Sequence, residues 1–402
     1  MTAGMLEEGF KTGSVFKDES KLSVFYVPES MPHRENELRQ LVNIFKPLLE
    51  IPEASGRTVL ITGPVGTGKT AVAKRFGALL VEAAKRRGLN LKYVHVNCRR
   101  EKTNFLILLE LARAIIPNIP NRGYSPAELL NIIIELLEEQ DASIILALDE
   151  VDFIINTIGG ELIYDLTRIN DEKLNNKQRV SLILISKDQN IRIMLDESTL
   201  SLISPVHIKF PPYTAIQLES ILEARAREAF YPSTITPGVI SLIADIASEW
   251  GDARYALELF WRAGKYADEE GVLKIFPEHV RKARADTCPE ITKEAILNLP
   301  RNDKLILLAI ARNLTRSEEA YATIGLIEKT YQLVCEEYSE KPRSHTQLWD
   351  RVKSLSRLGL INARISGKGM RGKTTIIGIG DAPAEILESK LVRWLSVEED
   401  DH

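Results

Sequence analysis

The sequence predicts an α/β domain with a parallel sheet, then an all-helical segment, then a C-terminal part ending in a β-hairpin. Between residues 57 and 212, apolar runs rich in β-branched residues alternate with helical patterns, as in parallel sheets with crossover helices. From Ala215 to Ala285 the apolar residues have helical periodicity. Leu360–Ile365 and Thr374–Ile379 then flank a loop rich in Gly, Lys and Arg, which indicates a hairpin with a long tip.

Five apolar runs of the first domain are predicted as strands, and two proline-containing breaks separate the domains. The runs are 58–62, 91–96, 143–149, 180–186 and 206–210. Residues 34–50 look helical, and the polar N-terminus predicts an extended arm docked through Val24–Phe25–Tyr26–Val27. With breaks at Pro211–Pro212 and Cys288–Pro289, we expect these boundaries: arm 1–30, α/β base 31–212, helical domain 213–288, C-terminal domain 289–395 and acidic tail 396–402.

Composition excludes several classes of protein. The 402 residues should form about two or three domains. A net charge of −4 means that nucleic-acid binding would have to come from local basic patches. Cys98, Cys288 and Cys335 are far apart, which predicts reduced thiols in a cytoplasmic protein and no zinc site. Met1–Gly13 lacks the apolar core of a signal peptide, and no apolar run could span a bilayer.

The motif G-P-V-G-T-G-K-T at Gly63–Thr70 lies between an apolar strand and a helical segment, which is the context a P-loop requires. Glycines let backbone N–H groups turn toward phosphate oxygens, and the helix N-terminus adds partial positive charge. Lys69 would reach the β- and γ-phosphates, and the Thr70 hydroxyl would ligate Mg²⁺. The predicted nucleotide-binding residues of the loop are Gly63, Pro64, Val65, Gly66, Thr67, Gly68, Lys69, Thr70 and Ala71.

Two acids, Asp149 and Glu150, follow the apolar run that begins at Ser143. Acids at the carboxyl end of a buried strand lie where α/β sheets bind ligands. Asp149 would hold Mg²⁺, largely through water, and Glu150 would polarise the attacking water. The alternative is that the two acids only cap the next helix.

Two cations are candidates to contact the γ-phosphate. Lys187 follows the strand Val180–Ile185, where many ATPases place a polar sensor, although it could be an exposed loop lysine. Arg254 lies in G-D-A-R, with Asp252 as a candidate N-cap, so it falls in the first turn of a helix of the helical domain. The alternative for Arg254 is a solvated first-turn arginine.

The segment from Lys341 to Thr375 is basic and predicts a DNA-binding end. Ser344 can cap a helix running to about Leu358. Nine Lys or Arg residues stand against one acid, Asp350: Lys341, Arg343, Arg351, Lys353, Arg357, Arg364, Lys368, Arg371 and Lys373. Leu348, Val352, Leu355 and Leu358 would form the core stripe of the helix.

An amphipathic helix followed by a basic hairpin is the winged-helix arrangement. The helix would enter the major groove, and the hairpin tip would contact phosphates or the minor groove. The predicted DNA contacts are Ser344, Gln347, Arg351, Lys368, Arg371 and Lys373. Alternatively, the winged helix binds protein and its charges only aid solubility.

These features together resemble AAA+ ATPases, and more specifically the archaeal origin-recognition initiator family, which is related to the eukaryotic origin recognition complex. The resemblance rests on Pro32–His33–Arg34–Glu35, His95–Val96–Asn97–Cys98–Arg99, Phe210–Pro211–Pro212–Tyr213–Thr214 and Gly251–Asp252–Ala253–Arg254, in this order. It implies an AAA+ P-loop base with an all-helical lid, followed by a winged-helix domain.

The resemblance implies ATP or ADP with Mg²⁺ between base and lid, with His33, Arg34 and Tyr213 near the adenine. It also implies an insertion helix, here about 103–116, that touches DNA, with Arg99, Arg100 and Lys102 just before it. These three charges could alternatively be a solvated helix start. Double-stranded origin DNA, a replicative helicase and paralogous initiators are the implied partners of a nucleoid-associated protein.

Two positions depart from the family pattern. The first sensor is usually Asn, where this chain has Lys187, and Glu197 occupies the place of an arginine available to a neighbouring subunit. Arginine fingers contribute about 10³–10⁵ in rate where they operate, so we expect a slow, switch-like ATPase. The rival hypotheses are a signalling or defence ATPase whose winged helix binds protein, and a ring-forming loader, against which the missing arginine argues.

Overall fold

The computed structural model describes most of the chain and divides it into two compact units. The described residues are 13–50, 56–172, 179–188, 191, 206–287, 296, 299–317, 319–358, 360–365, 374–379 and 383–400. One unit holds Val27–Gln217 with Trp250–Ala253, and the other holds the chain up to Tyr26, Leu218–Glu249 and the chain from Arg254 onward. Among the described residues, no helix is both long and apolar enough to cross a membrane.

The first unit is built on a five-stranded parallel sheet with the order β2-β3-β4-β1-β5. The strands are β1 Thr58–Thr62, β2 Leu91–Asn97, β3 Ser143–Asp149, β4 Val180–Ser186 and β5 His207–Lys209. All five predicted strands are confirmed to within two residues at each end. The two motif strands, β1 and β3, are separated by β4, so the carboxyl ends of all three meet at one edge of the sheet.

Helices cover both faces of this sheet and bury alternate strand residues. They are α1 Glu35–Phe45, α2 Pro47–Glu50, α3 Lys69–Arg86, α4 Asn104–Ile115, α5 Pro126–Glu139, α6 Val151–Ile158 and α7 Glu161–Glu172. On β3, Leu146 packs with α4–α7, whereas Ile145 packs on the opposite face with α1–α3. Burial on both faces is the reason that these strands read as continuous apolar runs.

The second unit contains a group of four helices and the winged-helix domain. The first group is α8 Ala215–Ala229, α9 Val239–Ser248, α10 Ala253–Glu269 and α11 Pro277–Thr287. The C-terminal domain has α12 Arg301–Ser317, β6 Ala322–Thr323, α13 Ile324–Glu337, α14 His345–Arg357, β7 Asn362–Ile365, β8 Thr375–Gly378 and α15 Ala384–Asp400. Strands β7 and β8 pair antiparallel, which confirms the predicted hairpin. Two elements were not predicted from the sequence, β6 and α15. A strand of two residues such as β6 has no periodic pattern.

The predicted core stripe of α14 is right for three residues and wrong for Leu358. Leu348, Val352 and Leu355 are buried, whereas Leu358 is 58% exposed. The helix ends at Arg357 and Leu358 is its C-cap. Because the helix has ended, Leu358 does not continue the 3.6-residue repeat that would have placed its side chain in the core.

The predicted docking of the arm is confirmed for Tyr26, whose hydroxyl donates to Glu228 at 2.9 Å, and is wrong for Val24 and Phe25. Val24 and Phe25 are 51% and 84% exposed, and the arm instead buries Val15 and Phe16 in its own unit. The Phe16 ring stacks on Phe230 with centroids 4.9 Å apart. A Cβ on Gly264 would meet the Phe16 ring at 2.4 Å, so α10 accommodates this ring by lacking a side chain there.

Replacing Phe16 by alanine should lower the free energy of unfolding by about 3 kcal/mol, the range for removing a buried aromatic ring. Urea denaturation of the full chain measures this. Phe25→Ala removes the same ring from an exposed site of the same arm and should stay within about 0.5 kcal/mol. Equal effects of the two changes would contradict the described docking.

Candidate functional site

The P-loop leads from β1 into α3 with left-handed backbone at two glycines. Gly68 has φ +89° and is the N-cap of α3. Gly66 has φ +75°, and a Cβ there would lie 1.7 Å from a carboxylate oxygen of Asp252. The amide of Ala253 also donates to the Gly66 carbonyl at 3.1 Å. The loop therefore requires glycine both for its turn and for the close approach of the Gly251–Ala253 segment.

Lys69 lies within the loop and is largely buried. Its Nζ donates to the carbonyl oxygens of Gly63 and Pro64 at 2.6 and 2.7 Å. The Thr67 hydroxyl also donates to Pro64, at 2.9 Å. A loop that turns amides and one ammonium toward the start of a helix provides donors for phosphate oxygens.

Asp149 is held by donors from three elements. Its Oδ2 accepts from the Thr70 hydroxyl at 2.7 Å and lies 3.1 Å from Nε2 of His95. Its Oδ1 accepts from the Glu150 amide at 3.0 Å. Burial alone would raise the pKa of Asp149, but the hydrogen bonds from His95, Thr70 and the Glu150 amide, together with the electrostatic effect of His95, hold the pKa below its usual value. The carboxylate is therefore ionised at neutral pH.

The residues present fit a divalent cation of the Mg²⁺ type. A buried, ionised carboxylate directly beside a threonine hydroxyl at the start of the P-loop helix supplies the hard oxygen donors that this cation prefers. The residues that would hold it are Thr70 and Asp149.

Glu150 has a neighbour that sequence reasoning did not assign a role. Glu150 adopts φ +54°, left-handed for a residue with a side chain, and begins α6. The Asn97 side-chain amide donates to its Oε2 at 3.4 Å. Asn97 ends β2 in register with Asp149. A polar residue at the carboxyl end of the strand beside β3 is the signal that could have identified Asn97.

Lys187 follows β4, between the two motif strands. Its side chain is exposed. The Asp152 carboxylate accepts from the Ser186 hydroxyl at 3.0 Å and from the Lys187 amide at 3.4 Å. This pins the end of β4 to α6 and leaves the Lys187 ammonium at the surface of the same sheet edge.

Arg34 is buried, and its guanidinium is fully engaged inside the base. It donates to the carbonyls of Thr67 at 2.9 Å and Pro211 at 2.6 Å, and pairs with Glu37 at 3.1 Å. It also lies 4.0 Å from the ring centroid of Tyr213. Arg34 therefore links α1 to the P-loop and to the segment after β5.

The other two residues expected near the adenine, His33 and Tyr213, have different surroundings. His33 is exposed with φ +65°, whereas Tyr213 is buried and its amide donates to Gly251 at 3.1 Å. Burial raises the pKa of Tyr213. Arg254 is the second residue of α10 and directly follows the segment that lies against the P-loop.

The residues before the predicted insertion helix are exposed, whereas the helix itself is half buried. Arg99 and Lys102 are exposed, as is Arg100, which pairs with Glu101 at 3.0 Å. The helix α4 confirms the expected helical stretch, with Thr103 as its N-cap. Six of its twelve residues are buried and join the core of the base, and the other six are partly exposed. The residues before the helix are therefore more exposed than the helix itself.

The helix α14 begins with a capping box made by two predicted DNA contacts. Ser344 accepts from the Gln347 amide, and the Gln347 side chain accepts from the Ser344 amide at 3.3 Å. Arg351 is half-exposed and lies 3.6 Å from the buried carboxylate of Asp303. Four predicted positions lie outside the described residues: Lys368, Arg371, Lys373 and Glu197.

Family models match three consecutive parts of the chain. The AAA domain matches residues 53–195, the Cdc6 AAA+ ATPase-type lid domain matches 219–285, and the CDC6 C-terminal winged helix domain matches 294–389. The predicted fold class, an AAA+ base with a helical lid and a winged helix, is confirmed.

Relatives and solved structures match nearly the whole chain. An ORC1-type DNA replication protein 2 of Sulfurisphaera tokodaii is 35% identical over 393 residues, 96% of this chain and 94% of the relative. The crystal structure of Cdc6p from Pyrobaculum aerophilum has a TM-score of 0.85 and 30% identity, covering 96% and 100% of the two chains. The Aeropyrum pernix ORC1 protein in complex with DNA has a TM-score of 0.63 and 33% identity, covering 95% and 97%.

Proposed function

The chain belongs to the family of ORC1-type DNA replication proteins, and from that membership we propose that it is a replication initiator that binds duplex origin DNA. The observation that carries this proposal is the division of α14 into a buried apolar side and an exposed polar side. The helix buries Leu348, Val352 and Leu355, and it exposes Gln347 near its N-terminus and Arg351 at its middle. N-terminal residues of recognition helices are those that contact base edges in the major groove. A relative of this chain, the Aeropyrum pernix ORC1 protein, has been solved in complex with DNA.

Two further groups of cations would contact the phosphate backbone. Lys368, Arg371 and Lys373 lie between β7 and β8, where a wing contacts phosphates or the minor groove. Arg99, Arg100 and Lys102 form the exposed flank of α4 on the base. Because phosphate contacts carry affinity and base contacts carry specificity, the wing and the flank would hold the duplex while α14 reads it.

The base would bind ATP or ADP and use the bound nucleotide as a conformational switch. The P-loop amides and Lys69 would hold the phosphates, and Thr70 and Asp149 would hold Mg²⁺, which offsets phosphate charge when bound. Glu150, kept in place by Asn97, would orient and polarise the attacking water, and Lys187 and Arg254 would sense the γ-phosphate. With Glu197 at the place of the expected arginine, the transfer of the phosphoryl group to water would be slow.

Recruitment of a replicative helicase and pairing with paralogous initiators belong to the same proposal, as does a location on the nucleoid. Each follows from family membership and from the duplex binding proposed above. Binding of the nucleotide would change the angle between base and lid, and thereby the fit of the two DNA-contacting parts.

Fluorescence anisotropy with a labelled duplex from the replication origin of the source genome tests the proposal. We expect Arg351→Ala to weaken binding several-fold, and the triple change of Lys368, Arg371 and Lys373 to alanine to reduce the slope of log affinity against log salt by up to about 3, near 0.9 for each phosphate contact. Arg86→Ala removes one exposed charge from α3 and should change neither quantity.

Footprinting on the same DNA with ATP and with ADP tests the switch, and we expect different protection patterns. If the full chain bound no duplex even at low salt, the initiator proposal would be wrong, and a winged helix that binds protein would take its place. Fast turnover that rises with protein concentration would contradict the slow switch.

A further inference from the structure

A chain of side chains leads from the P-loop helix to Oδ2 of Asp149. The Tyr93 hydroxyl lies 3.2 Å from Nδ1 of His95, and Nε2 of His95 lies 3.1 Å from Oδ2 of Asp149. Both side chains come from β2, the strand that pairs with β3 in parallel register. His95 and Asp149 are 13% and 7% exposed, so their contact is shielded from bulk water.

The partners at the two ring nitrogens of His95 suit one tautomer of the ring. Asp149 is ionised and can only accept, so Nε2 of His95 must carry the hydrogen. In the tautomer with its single hydrogen on Nε2, Nδ1 is an acceptor to which the Tyr93 hydroxyl can donate. Burial, and next the charge of Asp149, raise the pKa of Tyr93, so this hydroxyl keeps its proton. Both ring nitrogens of His95 are therefore satisfied in one tautomer.

The position of Tyr93 is fixed by packing against α3. A Cβ placed on Gly77 would lie 2.3 Å from the Tyr93 ring, so the ring occupies the space that any other residue would need. Gly77 lies two turns after Thr70 on the same helix. The helix that carries Thr70 thus also determines where Tyr93 and His95 lie.

The donors occupy three of the acceptor positions of Asp149. Oδ2 receives both Thr70 and His95, and Oδ1 receives the Glu150 amide. A carboxylate offers about four lone-pair positions, so one position on Oδ1 remains among the described hydrogen bonds. Rotation of the carboxylate would break the hydrogen bonds from Thr70 and His95, so they favour this one orientation.

We propose that His95 is a positioning residue that orients the Asp149 carboxylate for Mg²⁺, with Tyr93 fixing the tautomer of His95. This proposal rests on the proposed nucleotide-binding function. Partners that orient a metal-ligating carboxylate are worth about 10–100-fold in metal affinity. His95 would therefore set the Mg²⁺ concentration at which the nucleotide complex forms, without touching nucleotide or metal.

Binding of a fluorescent ADP analogue by the full chain, titrated with Mg²⁺ and repeated in EDTA, tests this role. In His95→Ala the Mg²⁺ concentration at half-maximal effect should rise about 10–100-fold, while the affinity for the analogue in EDTA stays within about twofold, since the P-loop is intact. His95→Gln should restore most of the difference, because a carboxamide nitrogen can replace Nε2 as donor. Tyr93→Phe should shift the midpoint in the same direction by a smaller factor.

An unchanged Mg²⁺ midpoint in both His95→Ala and Tyr93→Phe would overturn the proposal. So would an equal loss of binding with and without Mg²⁺ that His95→Gln does not restore, since this would indicate a purely structural histidine. If the unchanged chain bound no analogue under either condition, the nucleotide-binding proposal itself would be wrong. If the unchanged chain bound the analogue in EDTA but His95→Ala did not change the Mg²⁺ midpoint, only the positioning role of His95 would be wrong.

Discussion

Replacing Lys69 by alanine is expected to lower the affinity for ATP and ADP by at least about 100-fold. The ammonium is already inside the loop, within 2.7 Å of the Gly63 and Pro64 carbonyls, and would exchange these acceptors for phosphate oxygens. Two charge-assisted hydrogen bonds at about 1.5–3 kcal/mol each correspond to two or more factors of ten in affinity. Titration calorimetry with ADP and Mg²⁺ measures the change.

A second lysine on the same helix provides the matched control for Lys69. Lys85 is exposed in the last turn of α3, so Lys85→Ala removes the same charge at the far end and should leave ADP affinity within about twofold. A Lys69→Ala chain that bound ADP as tightly as the Lys85→Ala chain would show that the P-loop assignment is wrong.

Replacing Arg34 by methionine is expected to lower the free energy of unfolding of the base by about 3–5 kcal/mol, the range for breaking a buried ion pair from one side. Methionine keeps an apolar stem against Tyr213 but leaves Glu37 and the carbonyls of Thr67 and Pro211 without their donor. Urea denaturation measures the loss. Arg39→Met, on an exposed position of the same helix, should change stability by less than about 0.5 kcal/mol.

The double change Arg34→Met with Glu37→Leu separates the ion pair from the rest of the network. Without Glu37 no buried charge remains uncompensated, so the double variant should be more stable than Arg34→Met alone. If the double variant were as unstable as the two single losses added together, the Arg34–Glu37 contact would contribute nothing. The two carbonyls would still lack donors, so full recovery is not expected.

The buried state of Arg34 is the clearest case where tertiary structure adds to sequence reasoning. The family resemblance of Pro32–His33–Arg34–Glu35 implies that Arg34 lies near the adenine. The structure shows the guanidinium engaged by Thr67, Pro211 and Glu37. These partners lie up to 177 residues away along the chain, and no local pattern reports such a separation.

The roles of His95 and Asn97 also could not be predicted from local sequence. Both were visible as polar residues near the end of a predicted strand, but their role depends on which strand is next to β2. Only the sheet order, with β2 beside β3, brings His95 to Asp149 and Asn97 to Glu150. Helix capping was predictable in contrast, since Ser344 and Gln347 are three residues apart and cap their own helix.

By itself the sequence determined the strands of the base, the P-loop, the acid pair at Asp149 and Glu150, and the helix-and-hairpin end. Each of these follows from a pattern within a few neighbouring residues, namely apolar periodicity, glycine spacing or a helix cap. Tertiary structure alone decided that the arm docks through Phe16, that one side of α4 packs into the core, and that Arg34 and His95 make hydrogen bonds to other elements of the base. The physical reason is that burial and hydrogen-bond partners depend on which distant segments the fold brings together, and packing satisfies polar groups regardless of their separation in sequence.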